Sequence, residues 1–193
     1  MRINNSKIIG CDEAGRGAAA GPVVAAAVIL PHSEGLLKEV ADSKLLTAKE
    51  RIRLRDHIIH EAIGWALGEA SAEEIDRVNI LQATFLAMHR AISKLLADCP
   101  SAQHILVDGN RFYPYRPLSH TCIIKGDKHI PVIGAASILA KTARDHMMLT
   151  LDRQYADYQW KKNKGYPTAQ HCQAIRDRGI TPFHRVSYKP CQV

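Results

Sequence analysis

The sequence predicts an α/β fold built around a mixed sheet, and three observations carry that expectation. Short apolar runs rich in β-branched residues recur along the chain, at Lys7–Cys11, Val23–Leu30 and His104–Gly109. Two capping boxes, Thr47-Ala48-Lys49-Glu50 and Ser71-Ala72-Glu73-Glu74, open helices between such runs. Strands both precede and interleave with the helices, an order that suits a sheet with parallel and antiparallel pairs.

Taken in order, Lys7–Cys11 is the first strand and Val23–Leu30 the second. The connection Asp12–Pro22 between them is rich in glycine. Pro22 cannot donate a ladder bond and marks the start of the second strand. The helix opened by Thr47 runs to about Ala62, and Ile63–Ala70 is a third strand. Ser71 opens a short helix that should break near Val78-Asn79. The next helix places Leu81, Phe85, Met88, Ile92 and Leu95 on one apolar stripe, expected to be core. His104–Gly109 is a buried strand ending in an acid and a glycine. Thr121–Ile124 is a further strand, followed by Lys125-Gly126-Asp127. A long helix spans about Val132 to Tyr155, and Gly134, Ala135, Ala136 and Ala140 let it approach a sheet closely. Beyond Lys161 the chain turns basic, with a turn at Gly165-Tyr166-Pro167 and a helix opening at Thr168.

The 193 residues suit one domain, 1–193, with about 152–193 forming a C-terminal helical extension packed on it. Hydrophobic residues make up 46% and charged residues 23%, which argues against disorder. The longest apolar run, Pro22–Leu30, is far short of the ~20 residues of a membrane span. No apolar stretch precedes the first strand, so a cytoplasmic protein without membrane contact is expected, as a monomer. Lys and Arg number 26 against 19 Asp and Glu, a formal charge of +7. Charge alone fits either a solvated basic surface or a polyanionic partner, most often nucleic acid. The five cysteines are odd in number and form no C-x-x-C pair, so reduced thiols are expected and structural zinc is not.

Three strand ends carry carboxylates: Asp12-Glu13, Asp108 and Asp127. Ligands of open α/β sheets gather outside the carboxyl ends of strands. Acids clustered there repel one another unless a cation neutralises them. An all-oxygen donor set suits a hard ion, Mg²⁺ or Mn²⁺. Taken singly, each acid is more simply a cap or turn residue. Successive strand residues point to opposite faces, so Asp12 and Glu13 can share a site only if the strand ends or kinks there. The spacing Gly15-x-Gly17-x-x-Ala20 loosely matches a dinucleotide fingerprint, but a strand follows instead of a helix. A P-loop fails as well, because Gly15 is followed by Arg16-Gly17.

Gly10-Cys11-Asp12-Glu13-Ala14-Gly15-Arg16-Gly17 resembles the opening signature of the type 2 ribonucleases H, the bacterial ribonuclease HII family. The resemblance continues through Asp42-Ser43-Lys44, Asn79-Ile80-x-Gln82-Ala83-Thr84, Val107-Asp108-Gly109-Asn110 and Lys125-Gly126-Asp127. It reaches Ala135–Asp145 and Gly165-Tyr166-Pro167-Thr168, and so spans nearly the whole chain in order. Two departures are local. Lys128 stands where a small polar residue is common, and Ala18-Ala19-Ala20 fills a slot that usually varies more.

The resemblance implies an RNase H-like fold, a mixed five-stranded sheet flanked by helices with a C-terminal helical extension. It implies an endonuclease acting on the RNA strand of RNA–DNA hybrids and 5′ of single ribonucleotides embedded in duplex DNA. By motif, Asp12, Glu13, Asp108 and Asp127 match the catalytic acids that hold two ions, Mg²⁺ or Mn²⁺. Gly15, Arg16 and Gly17 match the segment that senses the 2′-hydroxyl, with a simple turn as the competing reading. Tyr166 matches the tyrosine packed on the neighbouring sugar, against a hydrophobic plug before Pro167. Lys44 and Asn79 match positions near the scissile phosphates. Ser137, Lys141 and Arg144 share one polar helix face suited to phosphate, although Lys141 can instead pair with Asp145. Lys161, Lys162, Lys164, Arg176, Arg178, Arg185 and Lys189 would add sequence-independent attraction to the backbone. The alternative function is a non-catalytic binder of RNA–DNA hybrids on the same fold, which loss of an acid would favour. None of the matched acids is missing.

Overall fold

The computed structural model describes residues 7–32, 34–41 and 47–192. Asp42-Ser43-Lys44 lies outside the described residues, and the expectation for Lys44 with it. Five strands form one mixed sheet in the order β3-β2-β1-β4-β5. They are β1 (Ile8–Ala14), β2 (Val23–Ile29), β3 (Gly64–Ala70), β4 (His104–Asp108) and β5 (Ser119–Ile123). The β1–β2 and β2–β3 pairs are antiparallel, and β1–β4 and β4–β5 are parallel. The expected fold class holds.

Helices cover both faces. On one side α3 (Ala72–Asp98) packs Met88, Ile92 and Leu95 against Ile9, Cys11, Ala25 and Ile105. On the other, α1 (Glu34–Ala41), α2 (Ala48–Glu61) and α4 (Pro131–Asp152) close over Ala26, Val28 and Leu30. The small residues of α4 do what their size suggests: Ala135, Ala136 and Ala140 are all buried in this layer. Both capping boxes form, with Thr47 accepting from the Glu50 amide and Ser71 from the Glu74 amide. The expected break also appears. Asn79 sits inside α3 at φ 68°, and its Oδ1 accepts from the Leu81 and Gln82 amides, so it caps the second half of the helix.

Two expectations need correction. The first strand does not stop at Cys11. It runs to Ala14, because Asp12 and Glu13 stay in register with Ala26 and Ala25 of β2. The apolar stripe of α3 is not all core: Leu81 and Phe85 are only half-buried and line a cleft.

The last part of the chain forms α5 (Trp160–Asn163) and α6 (Ala169–Arg178). Tyr158, Trp160 and Ile175 pack there with Ala19, Ala20 and Met148. A chain of polar contacts runs through this cluster. Trp160 Nε1 can only donate, so His171 Nε2 accepts it at 3.0 Å. The Thr181 amide donates to His184 Nδ1 at 2.9 Å, which leaves the His184 proton on Nε2, 3.2 Å from His171 Nε2. His171 Nδ1 then donates to the Tyr166 carbonyl at 2.9 Å. Both rings are therefore neutral. Burial pushes both imidazoles below their ordinary value, His184 to about 4. Below pH 6.5 the unfolded chain takes up protons that the folded chain refuses, so stability falls as pH drops from about 6.5 toward 4. The two histidines thus contribute a fall in thermal melting between pH 7 and pH 5, and His184→Asn should remove its share of that fall.

Candidate active site

The acids collect where β1, β4 and the turn after β5 end. Strand alternation sends Asp12 to the α4 face, where it is buried and its Oδ1 accepts from the Glu13 amide at 2.7 Å. It sends Glu13 to the α3 face, into a cleft of about 270 Å³. The cleft is also lined by Arg16, Leu81 and Phe85. Asp108, the last residue of β4, lines this cleft as well. Asp127 lies on the 3-10 turn Gly126–Lys128, and its amide donates to Asp108 Oδ1 at 3.3 Å. Asp12, Glu13 and Asp108 thus lie close enough to feel one another's charge, with the Asp127 backbone beside Asp108, and β1 needs no kink for this.

Burial pushes the Asp12 carboxyl well above the usual range, and the charges of Glu13 and Asp108 push it further. Glu13 is also raised by burial, with Arg16 opposing the rise through an ion pair at 3.3 Å. Among the described residues, no three His, Cys, Asp or Glu side chains converge as they would around a bound ion. The donor chemistry nevertheless fits a hard dication. Buried carboxylates whose like charges oppose ionisation are what an added cation would relieve, and all the donors are oxygen.

The β1–β2 connection forms one wall of the site. Gly15 has φ +96°, and a Cβ there would fall 1.9 Å from Arg144 Nε, so the position requires glycine. Gly17 differs: a Cβ there would meet only Tyr166 Cε1, at 3.7 Å. Tyr166 is exposed beside it, its ring 5.5 Å from the Arg144 guanidinium carbon. Gly165 brings the Tyr166 turn against the loop, and its carbonyl accepts from the Ala19 and Ala20 amides at 2.8 and 3.2 Å. A side chain at Gly165 would strike the Ala20 carbonyl at 2.4 Å. Ala18, Ala19 and Ala20 are fully buried beneath the loop, which explains why small residues fill that slot.

Other expected contacts divide. Ser137 is half-buried on the same side as Asp12, whose carboxyl it pulls down against the upward push of burial. Lys141 Nζ pairs with Asp145 at 2.7 Å, the second of its two readings. Arg144 is fully buried and donates to the backbone carbonyls of Pro22, Lys164 and Ala20, so it is not a surface phosphate contact. Arg185 likewise leaves the basic surface: it is fully buried against the loop. Asn79 is exposed, but its carbonyl oxygen is committed to the helix cap. Lys128 is exposed beside Asp127. The Lys141–Asp145 pair gives a test. A phosphate contact contributes ~0.9 to the slope of log K against log salt. Lys141→Ala is therefore expected to leave the salt slope of hybrid binding unchanged, with a stability loss of about 0.3–0.5 kcal/mol from the pair.

A mixed five-stranded sheet in this order, flanked by helices, is an RNase H-like fold. The family model "Ribonuclease HII" matches residues 9–191. A ribonuclease HII from Parabacteroides distasonis is 54% identical over 179 residues, covering 93% of this chain and 88% of that protein. One from Christiangramia forsetii is 52% identical over 191 residues, covering 98% and 94%. Among solved structures, a PCNA:RNase HII complex from Archaeoglobus fulgidus matches at TM-score 0.78 and 23% identity, covering 95% of each chain. A Bst-RNase HIII in complex with Mn²⁺ matches at TM-score 0.79 and 20% identity, covering 99% of this chain and 70% of that one. At these identities the two structures speak for the fold. The chain belongs to the ribonuclease HII family, and as such it is a ribonuclease H, a hydrolytic nuclease.

Proposed function

We propose that the chain is an endonuclease that cuts the RNA strand of RNA–DNA hybrids and incises duplex DNA 5′ of a single embedded ribonucleotide. The products carry 3′-hydroxyl and 5′-phosphate ends. One observation carries the reading: Glu13 and Asp108 share a cleft with Arg16, the centre of a loop whose outward groups are free to meet a ribose. Among the described residues, the Arg16 and Gly17 N–H groups have no hydrogen-bond partner. A 2′-hydroxyl can accept from such donors, and a deoxyribose cannot.

Asp12, Glu13, Asp108 and Asp127 would hold two divalent cations, Mg²⁺ or Mn²⁺. When bound, these supply Lewis-acid activation of the attacking water and charge stabilisation at the leaving 3′-oxygen. The protein's own part is positional. The Glu13 amide holds Asp12. The Asp127 amide holds Asp108. The exposed Tyr166 ring offers a flat face to the sugar beside Gly17. Arg16, half-exposed and paired with Glu13, stands at the cleft where a phosphate would approach. The basic residues Lys161, Lys162, Arg176 and Arg178 are exposed and supply backbone attraction.

The test uses a duplex with one ribonucleotide. Cleavage is expected to vanish in EDTA and return on titration with Mg²⁺ or Mn²⁺, with no cut in the all-DNA duplex. Cleavage that persists after complete chelation would end the metal reading.

A further inference from the structure

The β1–β2 loop is held from behind by two arginines that touch no anion. Arg185 is fully buried. Its Nε and Nη2 donate to the Gly21 carbonyl at 3.0 and 2.9 Å. Nη2 also donates to the Gly15 carbonyl at 2.7 Å. Nη1 donates to the Arg16 carbonyl at 2.9 Å and to the Tyr188 hydroxyl at 3.1 Å. The Tyr188 hydroxyl in turn donates to the Arg16 carbonyl at 2.6 Å. Arg144, equally buried, takes the Ala20 and Pro22 carbonyls at 3.0 Å each. Among the described residues neither arginine forms an ion pair.

Stability alone explains this poorly. A buried cation without an anion carries a desolvation cost that an apolar side chain of similar volume would avoid. The arrangement does, however, fix direction. A peptide unit is planar and trans, so a carbonyl pointing one way sends the next residue's N–H the opposite way. With the Gly15 carbonyl drawn toward Arg185, the Arg16 N–H faces away from it. With the Arg16 carbonyl drawn in, the Gly17 N–H faces away too. These are the two amides that lack partners. The guanidinium is suited to the task because its rigid fork serves several acceptors in one plane, which an ammonium cannot do.

We infer that Arg185, backed by Tyr188, is a positioning residue for ribonucleotide recognition: it orients the Gly15–Arg16 and Arg16–Gly17 peptides so that their N–H groups meet the 2′-hydroxyl. The inference rests on the reading of Gly15-Arg16-Gly17 as the ribose sensor.

Arg185→Lys and Tyr188→Phe test it in the full chain. Three quantities are read for each variant: thermal melting, cleavage of the single-ribonucleotide duplex in Mg²⁺, and binding in EDTA to that duplex and its all-DNA counterpart. Misplacement by about 1 Å can cost about 100-fold, so Arg185→Lys is expected to lower kcat/KM by about that factor. Its ribo-over-deoxy binding ratio should collapse toward one while all-DNA affinity stays at the wild-type level. Tyr188→Phe removes one of the two donors on the Arg16 carbonyl and should shift the same ratio by up to about tenfold. It decides the matter if Arg185→Lys does not fold. Folded variants that melt lower yet keep the wild-type ratio would make Arg185 purely structural and overturn the inference. A wild-type protein that binds both duplexes equally would instead overturn the reading of the loop, and the inference with it.

Discussion

Replacing Asp108 by asparagine is expected to leave a folded protein that binds RNA–DNA hybrid at wild-type affinity and cleaves it at least about a thousandfold more slowly. The magnitude follows from the several kcal/mol that metal-ion chemistry supplies, at about 1.36 kcal/mol per tenfold. The fold should survive for a local reason. The amide keeps the oxygen that accepts from the Asp127 N–H, and the change removes one like charge beside Asp12 and Glu13. Melting within a degree or two of wild type, or slightly above, is therefore expected alongside the lost turnover. An Asp108→Asn protein with near wild-type turnover in Mg²⁺ would remove Asp108 from the chemistry.

The second large effect concerns the ribose-facing wall. Gly17→Ala is sterically permitted, since its Cβ would lie 3.7 Å from Tyr166 and the position has no left-handed φ. Stability should hold or rise, as for glycines replaced at compatible backbone positions. Cleavage at an embedded ribonucleotide should nonetheless drop by about tenfold or more, because the methyl group stands where the sugar must approach a backbone donor. The metal concentration giving half-maximal rate should not move. Gly15→Ala would give no such separation, because a Cβ there collides with buried Arg144. Tyr166 completes the test. Tyr166→Phe keeps the exposed ring and should be mild. Tyr166→Ala removes a stacking surface worth about 1–3 kcal/mol and should be severe on a single ribonucleotide. Equal, small effects from both would reduce Tyr166 to a plug at the Pro167 turn.

Much of this was legible before any coordinates, for identifiable reasons. Capping boxes are local, so Thr47 and Ser71 announce their helices, and Asn79 announces the break that it then caps. The acids stand out because carboxylates at the ends of short apolar strands are few. What depends on distant partners is less visible. Local propensity ends β1 at Cys11, where acids and glycine begin. The ladder to Ala25 and Ala26 carries the strand to Ala14 regardless. Helical periodicity shows which face Leu81 and Phe85 share with Met88. It does not show that the core stops short of them and a cleft begins. Lys141 was ambiguous in the sequence because the four-residue step to Asp145 is as good a partner as a phosphate, and the pair forms. Arg144 and Arg185 look like surface charge in one dimension. Most of their acceptors are carbonyls of the β1–β2 connection, more than a hundred positions away in the chain, and no local pattern marks them.

The central claim is that the four acids and the Gly15-Arg16-Gly17 wall act together on one phosphodiester beside a ribose. The most direct measurement maps the cut in a duplex carrying one ribonucleotide, labelled at either end, in Mg²⁺. The account predicts a single incision on the 5′ side of the ribonucleotide, leaving a 3′-hydroxyl and a 5′-phosphate, and an intact all-DNA control. Cutting on the 3′ side, or comparable cutting of the all-DNA duplex, would contradict it.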